Sequence, residues 1–427
     1  WDKVGPYTHF FATLMVCLGS HFSAVWIIVA NSFMQTPAGF HLARMVKVTP
    51  DGAQHPMTAE LPAGTFELKE IPLPKDYILQ QADLNTVRAV VTDFWAMVFN
   101  PSSIDRLTHV IIGCWLAGAF LVISISAFYL LKKRHTAFAK TSIKIAIVMG
   151  TMASLLQLWS ADSTARGVAE NQPVKLAAIE GQVETQTMAP LGIGGLVTWE
   201  KDDEGNIIGV NNRTIGMKGM LSLLVSGDFL NPLKGMETEV KGLEELPSDD
   251  FIRARHGADL SAEEIAKIRP EYWPEVPVVF QTYHIMIMCG MSLIGISLLA
   301  CAFWKFGYLF SVDKKVTRLF LWLLVLSVFI PQIANQAGWF TAEMGRQPWV
   351  VYEILKTSEG LSQAVKAHQV LGSLIGFFIV YTLLFFVFIY TLHRKIKHGP
   401  KDDESIDVLP DKWRKLAQAL PGHTMGD

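Results

Sequence analysis

The sequence is poor in charge. Only 18% of its 427 residues are Asp, Glu, Lys or Arg, against about 25% in a typical soluble domain. The formal net charge is −2, so the chain lacks the basic excess of a nucleic-acid binder. Cysteine is scarce as well. Cys17, Cys114, Cys289 and Cys301 are the full complement; all fall within apolar blocks and none forms a C-x-x-C pair. That argues against disulfides and zinc and for buried, inert thiols. We find no internal repeat and no low-complexity tract. A signal peptide is also missing: the chain opens at Trp1 and runs almost directly into an apolar block, so a longer protein is expected, with its N-terminus before Trp1.

What the sequence has in abundance is hydrophobic length. Half of the residues are hydrophobic, and they are gathered into blocks long enough to cross a bilayer, which takes about 20 helical residues. Six such blocks run from about 8 to 33, 107 to 131, 142 to 159, 278 to 304, 316 to 340 and 370 to 392. The third is the shortest. Lipid offers the backbone no hydrogen bonds, so spans this apolar must be helical. The predicted fold class is an all-α integral membrane protein of about six transmembrane helices with a large extracytoplasmic loop.

Basic residues set the expected orientation. Lys132, Lys133, Arg134 and Lys140 link spans two and three. Lys305, Lys314, Lys315 and Arg318 link spans four and five, and Arg394, Lys395 and Lys397 follow span six. Six alternating helices put these three segments on one side, which the positive-inside rule makes cytoplasmic. The expected layout is therefore a first span in 1–34, an outer connection in 35–106, and two spans with a basic turn in 107–160. A long outer loop in 161–277 follows, then two spans in 278–340, an outer connection in 341–369, the last span in 370–392 and a cytoplasmic tail in 393–427. The long loop is acidic in patches, with Asp202, Asp203, Glu204, Glu244, Glu245, Asp249 and Asp250. Thr65-Phe66-Glu67-Leu68 suggests a small hairpin within 35–75, and Gly192-Ile193-Gly194-Gly195 reads as a breaker. The polar tail after Gly399 is expected to be partly mobile.

Ionisable groups within spans are candidates for function. His109 stands near the outer end of span two, and Tyr283-His284-Ile285-Met286 near the outer end of span four. His and Met form a known axial pair for haem iron, although each residue alone also fits membrane-edge packing. His9 and His21 lie about 120° apart around their helix, which favours ordinary structural roles. At the outer end of span five, Glu343 and Arg346 are spaced i, i+3 and can meet. They form either an interfacial salt bridge or a carboxylate held for a metal or proton. Pro348 is expected to stop the helix there. In the long loop, Lys175-Leu176-Ala177-Ala178-Ile179-Glu180 is a short amphipathic stretch, either a solvated helix or, laid against the membrane, a site suited to a quinol. A carboxylate can accept a quinol proton, and an ammonium can hold an oxygen that becomes negative. The two side chains lie about 140° apart on a regular helix, so they need not touch the same ligand atom.

Taken together, these stretches resemble subunit I of cytochrome bd-type quinol oxidases. The resemblance is carried by Gly19-Ser20, Ser23 to Asn31, His109, Ala127 to Lys132, Lys175 to Glu180, Tyr283 to Met286, and Gly338-Trp339 through Glu343 to Trp349. Residues 35–90 and much of 195–275 carry little of it. It implies a bacterial inner-membrane enzyme that oxidises ubiquinol or menaquinol at the outer face, reduces oxygen to water and contributes to the proton-motive force. A second oxidase subunit is the implied membrane partner, with no role for nucleic acid. His109 and Met286 match the axial ligands of low-spin haem b, and Glu343 the ligand of high-spin haem b. Lys175 and Glu180 match quinol-binding positions. Trp339 matches an aromatic between haems, Arg346 belongs to the adjoining signature, and Ser23 and Asn31 match polar positions near a proton route.

Two departures accompany the resemblance. The family has nine spans, and the three unmatched ones would precede Trp1; they carry the histidine of the oxygen-binding haem, either haem d or a third haem b. His284 stands where relatives commonly have arginine, and a neutral histidine would stabilise haem propionates less. Two other readings compete. A transporter or channel should place polar groups and broken helices at mid-membrane; spans two and six are apolar at their centres, and Gln332, Asn335 and Gln336 lie in the outer half of span five. A truncated, non-catalytic membrane subunit is the other.

Overall fold

The structure, a computed structural model, describes residues 5–56, 59–62, 64–74, 77, 83, 86–236, 245–361 and 365–400. Trp1, Glu244 and the tail from 401 onward lie outside the described residues.

Six helical segments among the described residues are long and apolar enough to cross a membrane. They are α1 (Pro6–Gln35), α3 (Ser103–Leu131), α4 (Thr136–Asn171), α9 (Val276–Lys305), the pair α10 (Lys315–Leu326) and α11 (Phe329–Met344), and α12 (Ala367–His398). The predicted span count therefore holds. The third span was expected to be shortest, yet α4 has 36 residues. Its apolar stretch ends near Trp159, but the helix continues to Asn171 over polar residues, braced by an Asp162–Arg166 pair at 3.0 Å, spaced i, i+4. Hydropathy marks where lipid ends, not where the helix does. The fifth span is broken at Ser327 and Val328. Pro331 explains the break: it has no N–H for the Ser327 carbonyl, and its ring crowds that position.

The outer connections carry small antiparallel sheets, so the architecture is mostly, not wholly, helical. In the first connection β1 (Phe40–Val48) pairs with β2 (Gln54–Pro56), β3 (Glu67–Pro72) and β4 (Val87–Val91). This is a larger unit than the hairpin expected there. The short helix α2 (Phe94–Val98), capped by Asp93, leads into α3. In the long loop, α5 (Pro173–Glu180) precedes a hairpin of β5 (Leu191–Lys201) and β6 (Ile207–Met217). The Gly192–Gly195 run, read from sequence as a breaker, instead opens β5, with a register shift between Gly192 and Gly194. Glycine allows such an irregularity and a close backbone approach. Then come α6 (Met220–Ser226), α7 (Asp249–His256) and α8 (Ala262–Ile268), and a last hairpin of β7 (Trp349–Val351) and β8 (Leu355–Lys356).

The chain divides into two compact units, and the spans contribute segments to both. One comprises 1–117, 152–295 and 329–361. Its core gathers the apolar face of α5 (Leu176, Ala177, Ile179) with Val197, Val210, Leu221, Trp273, Val279 and Phe280. The other comprises 118–151, 296–328 and 362–427. Within it Ser124 donates to the Val325 carbonyl at 2.7 Å, Tyr129 to the Ile396 carbonyl at 2.8 Å, and the Phe303 and Phe320 rings lie 4.2 Å apart. Every predicted site residue falls in the first unit, and all three basic connections fall in the second. Cys17 and Cys114 are exposed, contrary to the expectation of burial. Spans expose apolar flanks because lipid, not protein, covers them.

Candidate active site

The short helix α5 sets up the centre of the site. Pro173 occupies its first turn, where a missing N–H costs nothing, and Gly181 ends it at φ 64°. Lys175 through Glu180 are all buried, so this stretch is not the solvated loop helix that was one reading of the sequence. Its two charged residues point to different partners, as their angular separation predicts.

Lys175 reaches the C-terminal end of α11. Its Nζ donates to the Ala342 carbonyl at 3.1 Å and to Gln35 Oε1 at 3.0 Å, with Gln172 Oε1 at 3.5 Å. The Gln35 amide in turn donates to the same Ala342 carbonyl at 3.1 Å. Carbonyls in the last turn of a helix lack helical partners and carry partial negative charge, which suits a cation. Burial and then the charge of Arg106 push the Lys175 pKa well below its usual value, with Glu343 opposing. The three acceptors match the three hydrogens of an ammonium, so the local geometry favours the charged form that burial resists. Gly345 makes room for this arrangement: a Cβ there would lie 3.1 Å from Lys175 Cγ and Cε.

One residue beyond Ala342, Glu343 accepts from Asn31 at 2.7 Å and from Arg346 at 2.7 Å. The predicted i, i+3 contact is therefore made. Asn31 also accepts from Arg106. Asn31 and Gln35, one turn apart on α1, thus connect the Glu343 group to Lys175. Arg346 Nε and Nη1 and Arg106 Nε are buried with no partner. The turn after Arg346 is fixed by Trp349, which packs against Tyr272 at 5.7 Å and beneath the Arg255 guanidinium at 4.9 Å; Arg255 pairs with Glu359 at 3.0 Å.

Glu180 belongs to a second group. The Tyr283 hydroxyl and the Gly192 N–H donate to its carboxylate, and burial, outweighing both, pushes its pKa up to about 7. Its Oε2 is buried without a partner. The carboxyl borders a cleft of about 260 Å³ that is also lined by Gln182, Gln186, Asn212 and Thr214. The His284 ring lies with Nδ1 2.9 Å from the Phe280 carbonyl and Nε2 3.2 Å from the Gly192 carbonyl, and donates to one of them. It ties β5 to α9.

His109 has the Gln157 amide at 2.9 Å from Nε2 and the Ser160 hydroxyl at 3.3 Å from Nδ1. Met286 packs onto Gly338, where a Cβ would lie 2.7 Å from its sulfur. Gly113, one turn from His109, faces Asn335, one turn from Gly338. His109 and Met286 therefore lie on helices that each approach the same stretch of α11. Trp339 and Ser23 are exposed. His21 accepts from Trp115 at 3.0 Å, a structural role as expected. Arg106, Gln35, Gln172 and Tyr283 were missed from sequence. Arg106 and Gln35 had a signal: each lies one turn from a residue already singled out.

The residues fit a haem in two respects. The orphaned arginine donors beside Glu343 suit carboxylate groups such as propionates. Ser160 can fix the tautomer of a ligating imidazole.

Comparisons with known proteins give the family and the fold. The family described as cytochrome bd terminal oxidase subunit I matches residues 1–400. Cytochrome bd-II ubiquinol oxidase subunit 1 of Escherichia coli strain K12 is 29% identical over 443 residues, covering 95% of this chain and 76% of its own length. Cytochrome bd ubiquinol oxidase subunit 1 of Bacillus subtilis strain 168 is 28% identical, covering 96% of this chain and 72% of its own. The solved bd oxidase of Geobacillus thermodenitrificans superposes with a TM-score of 0.62 at 23% identity, over 94% of this chain and 73% of that one, a likeness of fold.

Proposed function

Because the chain belongs to the cytochrome bd terminal oxidase subunit I family, we propose that this membrane-embedded oxidoreductase subunit oxidises ubiquinol or menaquinol at the outer membrane face and sends the electrons toward oxygen reduction. The observation that carries the reading is the placement of Lys175, buried on a loop helix yet hydrogen-bonded to the residue next to Glu343. A loop lysine has no structural need to be buried there, since isolating an ammonium from water is costly.

In this reading Lys175 holds a quinol oxygen and stabilises the negative charge that develops as its proton leaves. Glu180 receives a proton and releases it through the polar cleft at its side, which contributes to the proton-motive force. Haem b, when bound, supplies one-electron acceptance. His109 and Met286 would hold the low-spin haem b, and Glu343 would hold the high-spin haem b. Arg346 and Arg106 hold carboxylate groups with their free donors. His284 acts on the cofactor region only indirectly, through the hairpin it fastens. Trp339 serves between haems, and Asn31 and Ser23 border a proton route. Oxygen is the final acceptor, a haem d or third haem b its site, and a second oxidase subunit the partner in a bacterial inner membrane. The outer face is that of the loop 161–277, with the basic connections inside.

The test is quinol-dependent oxygen uptake by the assembled oxidase. Lys175→Ala and Glu180→Gln are each expected to lower it at least about tenfold, since general acid–base groups contribute ~10²–10⁴-fold, while the haem bands persist. Unchanged uptake in both variants would remove the assignment.

A further inference from the structure

A buried lysine that must bind substrate faces a problem of supply. An ammonium has three hydrogens. All three of Lys175 are already directed at protein acceptors: Gln35 Oε1 at 3.0 Å, the Ala342 carbonyl at 3.1 Å and Gln172 Oε1 at 3.5 Å. A quinol oxygen can be held only by displacing one of them. The three are not equal. The first two have normal lengths, whereas 3.5 Å is the outer limit of a hydrogen bond. The first two also reinforce each other, because the Gln35 amide donates to the Ala342 carbonyl at 3.1 Å. Gln35 itself is fully buried on α1. Gln172, in contrast, precedes the first turn of α5, and its Nε2 is buried without a partner.

We infer that Gln35 is a positioning residue for quinol oxidation: with the Ala342 carbonyl it fixes two hydrogens of Lys175 and directs the third, loosely held by Gln172, to the quinol oxygen. Gln172 is then the group that yields, and its free amide hydrogens are available to the same oxygen. This rests on the reading that Lys175 contacts quinol. It adds a residue from a different element, 140 positions away, whose contribution is directional. Gln35 carries no proton and touches no substrate.

The experiment compares Gln35→Met, Gln35→Glu, Gln172→Leu and Lys175→Ala in the assembled oxidase, with ubiquinol-1 as donor and oxygen uptake as readout. Haem b bands are recorded for each. Gln35→Met keeps the side-chain length and removes the acceptor. Its KM for quinol is expected to rise roughly tenfold or more, the size of one lost hydrogen bond to a charged group, with kcat within about threefold. Gln35→Glu restores an oxygen acceptor for Lys175 and should recover most of the KM. Gln172→Leu should change KM less than Gln35→Met does. An unchanged KM in Gln35→Met, alongside a raised KM in Lys175→Ala, overturns the inference while leaving the quinol reading intact. An unchanged KM in Lys175→Ala overturns the quinol reading, and this inference with it. Should Gln35→Met fail to hold haem, Gln172→Leu decides: a KM raised roughly tenfold or more, the size of one lost hydrogen bond to a charged group, assigns the orienting role to Gln172 and refutes the inference, and a smaller rise supports it.

Discussion

At the scale of the residue, Glu180 makes the sharpest demand. A carboxyl accepts a proton only when ionised, and burial places its midpoint at about 7 instead of the usual 4.5. Below that midpoint most Glu180 is protonated and blocked; above it most is ready. Quinol oxidation should therefore rise with pH through about 7, and kcat/KM should show a rising limb there. Glu180→Gln should flatten that limb as well as lower the rate. The same limb persisting in the variant would assign it to another group. His109 makes a different demand. Its imidazole is half-buried beside Ser160 and Gln157, and under the proposed function it is a ligand of the low-spin haem b. His109→Ala should lose the low-spin haem b band and keep the high-spin one, as read by the reduced-minus-oxidised spectrum. A spectrum that keeps both bands would remove His109 as ligand.

At the scale of the element, α11 is the organising piece. Its face carries Asn335 and Gly338 toward α3 and α9, and its last turn presents Ala342 to Lys175 and Glu343 to Asn31 and Arg346. Gly338 is the most exacting position, because a Cβ would lie 2.7 Å from the Met286 sulfur. Gly338→Ala should displace Met286 at ~1–3 kcal/mol of packing strain and shift the low-spin haem potential. Gly372→Ala in α12, where a Cβ meets nothing within 4 Å, is the matched control and should change nothing. Equal effects from the two would sink the packing argument. The spans, the charged pair at Glu343 and Arg346, and the divergent pair on α5 were legible because each follows from hydropathy or helical spacing within one segment. Gln172 and Tyr283 were not, and helical spacing from Asn31 marked Gln35 only as a neighbour, because the roles of all three exist only once α1, α5 and α9 meet. The Gly192 run was misread for a related reason. Glycine serves a breaker and an irregular strand equally, and only the His284 contact across the fold tells them apart.

At the scale of the whole molecule, the distribution of charge and of chemistry makes a single claim about sidedness. Site residues and acidic loops fall in one compact unit, and the Lys- and Arg-rich connections fall in the other. If the positive-inside rule governs, the turn of the β5–β6 hairpin faces outward and the turn between α3 and α4 faces the cytoplasm. Asp203 and Lys133 are exposed at those two turns, so each tolerates replacement by a reporter cysteine. Serine replacements of the four native cysteines remove the background. In intact spheroplasts, a membrane-impermeant maleimide should label Asp203→Cys and spare Lys133→Cys; after permeabilisation it should label both. The reverse pattern would turn the molecule over. It would also place Lys175 and Glu180 on the cytoplasmic side, where protons released from quinol would add nothing to the gradient. In the proposed function, sidedness is therefore a condition for energy conservation, beyond its place in the topology.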